Sequence, residues 1–117
     1  MRLPRFFGRR RRPKLYLRRV VGTSMLPTYS PGELVVAIGP VSSVSVGDVI
    51  ILSHGGMEKM KRVAQLNSKN QLYVLGDNPL ASTDSRTLGW LPATTVSARI
   101  IWPRRLARAY DYSTTGR

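Results

Sequence analysis

Short runs of branched apolar residues, separated by glycine, proline and polar residues, recur along most of this chain. Residues 34–38 (LVVAI) form one run that ends at a Gly-Pro pair, and residues 49–52 (VIIL) form another after a Gly-Asp turn. Runs of this length that are rich in valine and isoleucine are typical of β-strands. No segment sustains the 3.6-residue periodicity of an amphipathic helix. The pattern therefore predicts a mainly β fold.

Further strands and one long loop complete this prediction. Residues 67–70 are typical of a hairpin connection, and the last strand is expected to begin with a helical turn. The loop at residues 76–89 is polar, and long ordered loops often carry function. The remaining strand-like segments are residues 15–21, 59–66, 71–75 and 93–102.

The length of 117 residues suits a single domain. We expect a basic flexible arm at residues 1–14, a folded domain at 15–103 and a tail at 104–117. The chain contains no cysteine, which excludes disulfides, thiolate metal sites and a cysteine nucleophile. His54 is the only histidine, and one histidine without cysteine makes no persuasive zinc or nickel site. No metal and no cofactor is therefore predicted.

The formal net charge of +13 is concentrated at the N-terminus. Nine positive residues and no acid precede Val20, and without residues 1–19 the excess falls to +4. Such an arm suggests an anionic membrane surface or an acidic protein partner; the alternative is a solvated terminus that keeps the protein soluble. Phe6, Phe7 and Tyr16 stand among the arginines, as in arms that stack on nucleic acid. The arm is too short for a DNA-binding domain, so nucleic acid is not predicted as the main partner.

No membrane span is predicted. The longest nearly uncharged stretch, residues 34–57, is interrupted by glycine, proline, serine and an aspartate. A span requires about twenty predominantly apolar residues in succession. The basic N-terminus lacks the apolar run of a secretory signal. The expected location is cytoplasmic, with peripheral membrane association through the arm as the alternative.

Ser24 lies in the segment GTSMLPT, residues 22–28, which is typical of a tight turn. Gly22 leaves the backbone free to approach a substrate carbonyl, and Pro27 stiffens the exit from the turn. The backbone N–H of Ser24 can donate to the oxyanion that forms when a peptide carbonyl is attacked. Ser24 is therefore a candidate nucleophile.

A serine nucleophile needs a base, and Lys61 is the candidate. A lysine acts as a general base near neutral pH only where burial lowers its pKa. Met60 and Val63 supply part of an apolar setting. Lys59 is the rival, because alternate residues of a strand share one face. Alternation alone does not choose between the two lysines.

His54 offers a different base for Ser24. A Ser-His-Asp triad could use Asp48, Asp77 or Asp84 as its third member. His54 precedes two glycines in an apparent loop, which favours an exposed histidine over a catalytic one.

Residues 76–86 (GDNPLASTDSR) complete a set of three blocks, after GTSMLPT and the Lys-Arg-Val of residues 61–63. In this order the blocks resemble the signal peptidase I group of serine proteases (S26 type), over residues 20–102. The resemblance implies a Ser–Lys dyad of Ser24 and Lys61. It also implies coiled mixed β-sheets, the signal peptidase/LexA-like protease fold, with an exposed edge to which a substrate adds as a strand.

The resemblance assigns roles within the third block. It implies that Ser82 orients the lysine amine and that Asp84 and Arg86 form a structural pair. Asp77 and Asn78 are expected to hold the loop by bonds from side chain to backbone.

Near Ser24, the resemblance gives further assignments. Gly22 stands where some members carry a serine whose hydroxyl supports the oxyanion hole. In this chain, backbone N–H groups must therefore donate to the oxyanion. Met25 and Pro27 are assigned to substrate binding.

Two departures narrow the resemblance: no anchor precedes Ser24, and the extra domain of bigger members is absent. A short member with GDNPLASTDSR looks most similar to the nickel-type superoxide dismutase maturation proteases. That family implies removal of the propeptide from a nickel superoxide dismutase precursor. One alternative is a signal peptidase I-like enzyme that cleaves signal peptides at a membrane surface. The other is a non-enzymatic basic interaction protein on a protease-like fold.

Overall fold

One antiparallel β-sheet dominates the computed structural model, which describes residues 12–81 and 83–107. Its strands are β1 (Lys14–Arg19), β2 (Leu34–Gly39), β3 (Val49–His54), β4 (Met57–Leu66), β5 (Gln71–Leu75), β6 (Leu91–Pro92) and β7 (Val96–Trp102). They are arranged in the order β1-β2-β7-β3-β4-β5-β6. A short helix, α1 (Ser85–Leu88), and a 3-10 turn (Ala93–Thr95) complete the described elements. The predicted mainly β fold is confirmed.

All the described strand pairs are antiparallel, where a mixed sheet was expected. For the β3–β4 and β4–β5 pairs the reason lies in the short connections, since a tight hairpin joins only antiparallel neighbours. β3 and β4 are joined by Gly55 and Gly56, whose φ angles of +60° and +77° suit a two-residue hairpin turn. His54 is therefore the last residue of a strand, opposite Met57, and not a loop residue.

The sheet separates two hydrophobic cores, because neighbouring residues of β3 point to opposite faces. The first core contains Val41, Val44, Ile50, Leu52, Val63, Leu72, Val74, Leu91, Ala93 and Val96. The second core contains Val20, Met25, Tyr29, Val35, Ala37, Val49, Ile51, Ala98 and Ile100. Each large side chain fully buried in this way contributes about 1.5–3 kcal/mol to folding.

Two of the open strand edges in the described sheet lie close to each other. β1 pairs only with β2, so its outer edge has no strand partner among the described residues. β4 pairs with β5 only from Arg62 onward, which leaves residues 57–61 with β3 alone. An ion pair joins these edges, with Arg18 Nε 3.0 Å from Glu58 Oε1. The sheet thus coils until its open edges face each other.

The N-terminal and C-terminal ends bear on the predicted arm and tail. Most of the predicted basic arm (residues 1–11) and most of the tail (residues 108–117) lie outside the described residues. Within the ranges that the structure covers, we find no helix with the length and apolar character needed to cross a membrane.

Candidate active site

The turn at residues 22–29 holds Ser24 between β1 and β2. Met25 and Tyr29 anchor this turn, because both side chains are buried in the second core and the Tyr29 N–H donates to the Met25 carbonyl at 2.9 Å. Gly22 has φ +75°, a left-handed conformation that favours glycine. Ser24 itself is half-buried, and no described residue accepts a bond from its backbone N–H. That N–H is the donor that an oxyanion would need.

Asn78 ties the loop of residues 76–86 to the Ser24 turn. Its backbone N–H donates to the Ser24 carbonyl at 2.8 Å, and its side-chain amide donates to the Thr23 carbonyl at 3.0 Å. Its Oδ1 accepts from the Leu80 N–H at 3.2 Å. The predicted bonds from the Asn78 side chain to the backbone are therefore present, and two of its bonds fix the backbone on either side of the Ser24 N–H.

Asp77 behaves differently from the prediction that it would bond to nearby backbone. Its carboxylate is 1% exposed and accepts from Arg62 Nε at 3.0 Å and from Arg62 Nη2 at 2.7 Å. A two-pronged, charge-assisted contact of this kind outcompetes a local backbone bond inside a low-dielectric interior. The role of Arg62 as the partner of Asp77 was not predicted from the sequence. Its position directly after Lys61 does place it on the opposite face of the strand.

Arg62 also connects the loop to the C-terminal segment. Its Nη1 donates to the Gly47 and Arg105 carbonyls, each at 2.9 Å. Arg105 in turn donates to the Thr28 carbonyl at 2.9 Å, and its guanidinium lies 5.1 Å from the Tyr29 ring centroid. The Ser24 turn is thus supported from behind by the end of the described chain.

Lys61 lies on β4, opposite Ile50 of β3, and is only 4% exposed. Desolvation by burial lowers the pKa of Lys61 below that of an ordinary lysine. The nearby Asp84 carboxylate raises the same pKa, and the positive charges of Lys59 and Arg86 lower it. Lys61 therefore has the environment that a lysine base requires.

Lys59 shares a sheet face with Lys61, as the sequence predicted. The two lysines pair with Leu52 and Ile50, which both belong to the first core. Lys59 is nevertheless only half-buried. Burial, which alternation could not predict, distinguishes Lys61 from its rival.

A groove of about 540 Å³ brings Ser24 and Lys61 together between the two open strand edges. Met25, assigned to substrate binding from the sequence, also lines this groove. Pro27 and Gly22 are exposed and are not among its lining residues. The groove is lined by Arg18, Arg19, Val20, Val21, Ser24, Met25, Val35, Ile51, Met57, Glu58, Lys59, Met60, Lys61, Ala81 and Thr83.

Asp84 organises the loop beside Lys61. Its carboxylate is 1% exposed, accepts from the Gly76 N–H at 2.9 Å and caps α1 through the Arg86 N–H. Arg86 Nη2 lies 2.7 Å from Asp84 Oδ2, so these two residues form the ion pair that the resemblance implied. Ser82, assigned to orient the lysine, lies outside the described residues.

His54 takes no part in the groove. It sits at the β3–β4 hairpin, and the lining residues of the Ser24 groove do not include it. Asp77 and Asp84, two of the acids considered for a triad, are bound to Arg62 and Arg86. In the part of the chain that the structure describes, no cluster of three or more histidine, cysteine or acidic residues could hold a metal ion.

A serine in a tight turn and a buried lysine on one groove, within a coiled antiparallel sheet, define a serine-peptidase type of fold. The chain belongs to the Peptidase S24-like family, which matches residues 1–88 and so includes both Ser24 and Lys61. No curated protein matches the chain. The family match confirms the expected signal peptidase/LexA-like protease fold, and it places the chain in the S24-like family where the motifs resembled the S26 type.

Proposed function

We propose that this protein is a serine endopeptidase with Ser24 as nucleophile and Lys61 as general base. One observation carries the proposal: two residues far apart in sequence line the same groove, and the lysine is 4% exposed. Burial of an ammonium is unfavourable, so a protein retains such a lysine where its neutral form is useful. The Asp84–Arg86 pair and the Asn78 bonds fix the surrounding loop.

The chemistry follows from these positions. Neutral Lys61 accepts the Ser24 hydroxyl proton while Oγ attacks the scissile carbonyl, and the backbone N–H of Ser24 donates to the resulting oxyanion. The Lys61 ammonium then gives its proton to the departing amine as the peptide C–N bond breaks. Lys61 next accepts a proton from the water that hydrolyses the acyl-enzyme, and returns it to Ser24 Oγ. No third residue is required for the proton balance.

The open strand edges favour an extended peptide as substrate. The unpaired backbone groups of β1 and of residues 57–61 flank the groove, so a substrate segment can add as a strand between them. The GDNPLASTDSR block supports the finer proposal that the substrate is a nickel superoxide dismutase precursor, whose N-terminal propeptide is removed. This finer step rests on the S26-type resemblance and on no contact of the described residues.

Mass spectrometry of a nickel superoxide dismutase precursor incubated with the protein tests this substrate. We expect one N-terminal cut by the wild type and none by Ser24→Ala, because loss of the nucleophile lowers kcat about 10⁶-fold in serine proteases. A serine-directed phosphonate probe should label the wild type and spare Ser24→Ala. Equal cuts by both proteins would reject the mechanism. Labelling without a cut would reject the proposed substrate. The absence of both labelling and a cut would support the non-enzymatic alternative.

A second candidate is an enzyme that acts on signal peptides at a membrane surface, and one face of the sheet favours it. Leu15 and Leu17 of β1 are 66% and 62% exposed, and Trp102 of β7 is 61% exposed. Leu17 and Trp102 both lie opposite Val36 in the register, so these side chains share one face, directed away from the second core. Exposed leucine and tryptophan, in a chain whose first nineteen residues are strongly basic in sequence, suit an anionic bilayer surface.

Vesicle sedimentation tests the membrane candidate. We expect binding to vesicles of phosphatidylcholine with phosphatidylglycerol but not to phosphatidylcholine alone. The double variant Leu17→Gln/Trp102→Gln should bind the anionic vesicles at least about a hundredfold more weakly, since two buried apolar side chains at about 1.5–3 kcal/mol each are worth about 3 kcal/mol or more. Leu80→Gln is the matched control, because Leu80 is 96% exposed and is not part of this face. If both variants bind the anionic vesicles equally, the exposed face contributes nothing, and only the charge of the basic arm would account for binding.

A further inference from the structure

The two sides of the Ser24 groove differ in charge. Arg19 lies opposite Leu34 and faces away from the second core, whereas Arg18 lies opposite Val35 of that core. Lys59 likewise lies opposite Leu52 of the first core. Arg19 and Lys59 therefore flank the groove on its outer side, one from each open strand edge. Neither side chain forms an ion pair with a described carboxylate, and Arg19 Nη1 donates to the uncharged Gly32 carbonyl at 2.8 Å, which leaves the charge of Arg19 unbalanced.

The floor of the groove is apolar. Met25, Val35, Ile51 and Met60 line it from the second core, next to Ser24. Beyond them the Arg18–Glu58 ion pair crosses the floor, and a separate cavity of about 150 Å³ lies on its far side. Arg18 is neutralised by Glu58. The positive charges of Arg19 and Lys59, which no described carboxylate balances, lie on the outer side of the groove.

An extended peptide between the two edges must present its side chains alternately to these two sides. In such a peptide, a side chain that contacts Met25 next to Ser24 faces the apolar floor. The next residue in the groove faces outward, between Arg19 and Lys59. Lys59 is two residues from Lys61, about 7 Å along an extended strand. The charge of Lys59 is therefore within reach of the outward-facing side chain of the peptide.

We propose that the groove selects an extended segment in which apolar residues alternate with acidic ones, the acidic residue next to the cut being held by Arg19 and Lys59. This inference rests on the proposed function for the position of the cleaved bond, but peptide binding to the groove does not require catalysis. The substrate class is thus an acidic, strand-forming peptide whose apolar side chains lie on one face.

Fluorescence anisotropy with the Ser24→Ala variant tests the pattern independently of cleavage. The probes are labelled octapeptides: alternating Ala-Glu, alternating Ala-Lys, and a block peptide with four alanines followed by four glutamates. Because the protein carries a net charge of +13, any acidic peptide attracts it, and the block peptide measures that background. We expect the alternating Ala-Glu peptide to bind about tenfold more tightly than the block peptide. It should bind at least about tenfold more tightly than the alternating Ala-Lys peptide.

Charge reversal identifies the residues responsible. Lys59→Glu should abolish the preference for alternating Ala-Glu over the block peptide, and Arg19→Glu should reduce it severalfold. Lys69→Glu makes the same charge change on the exposed β4–β5 turn and should leave the preference intact. Equal binding of the two acidic peptides, or an equal response to Lys59→Glu and Lys69→Glu, would overturn the inference. Selective binding without any cleavage would instead reject the proposed enzyme while leaving the groove's selectivity established.

Discussion

Replacing Lys61 by methionine is expected to lower kcat/KM at pH 7 by about a thousandfold or more, because the Ser24 hydroxyl loses its proton acceptor. Methionine has a similar length and no charge, so the substitution should retain the fold. Lys61→Arg should be equally inactive, since a guanidinium stays protonated throughout the accessible pH range. The measurement is steady-state hydrolysis of a cleaved peptide by wild type and variants.

The pH dependence gives an independent test of the same assignment. Because burial lowers the pKa of Lys61, the neutral base forms at a lower pH than for an ordinary lysine, and activity should rise as pH passes this lowered value. Stability should rise with pH in the window between the lowered pKa and the ordinary lysine value, because there the unfolded chain binds a proton that the folded chain does not. Lys61→Met should remove this rise and be no less stable at pH 7.

Lys59→Met is the matched control for this prediction. It removes a lysine from the same strand face, two positions away, and should retain most of the activity on a neutral peptide. Its charge lowers the pKa of Lys61, so its removal should move the activity profile towards higher pH. A Lys59 variant as inactive as Lys61→Met, or an active Lys61→Met, would contradict the dyad.

The strands were predictable from local sequence because each is a short apolar run that ends at a glycine, proline or polar turn. Residues 34–38 and 71–75 correspond closely to β2 and β5. β6 was not predicted, since a two-residue strand at Leu91–Pro92 carries no periodicity of its own. α1 was not predicted either, because one turn of helix depends on the Asp84 cap and on tertiary packing.

The candidate site was only partly predictable from sequence. Motif spacing identified Ser24 and Lys61, but the burial that separates Lys61 from Lys59 depends on how β3, β4 and the loop of residues 76–86 pack together. The charge of the groove could not be predicted at all. It depends on β1 facing β4 across the coiled sheet, although these strands are not neighbours in the sheet order.

The Arg62–Asp77 pair leads to the largest expected change in stability. Asp77→Ala leaves a guanidinium that is 2% exposed without its carboxylate, and breaking a buried pair in this way costs about 3–5 kcal/mol. That is a large part of the 5–15 kcal/mol available to a typical domain. Urea denaturation should therefore show Asp77→Ala close to unfolding. Glu58→Ala breaks the Arg18 pair, which is nearly half exposed on both sides, and should cost less than about 1 kcal/mol.

The double variant Arg62→Met/Asp77→Leu separates the ion pair from the space it fills. Replacing a buried pair by apolar residues of similar volume is often neutral, so this variant should be markedly more stable than Asp77→Ala. It cannot reproduce the bonds from Arg62 to the Gly47 and Arg105 carbonyls, which hold the C-terminal segment against the Ser24 turn. We therefore expect recovered stability with reduced peptidase activity. If activity returns together with stability, Arg62 serves the fold alone, and the position of the Ser24 turn is set by Asn78 and the second core.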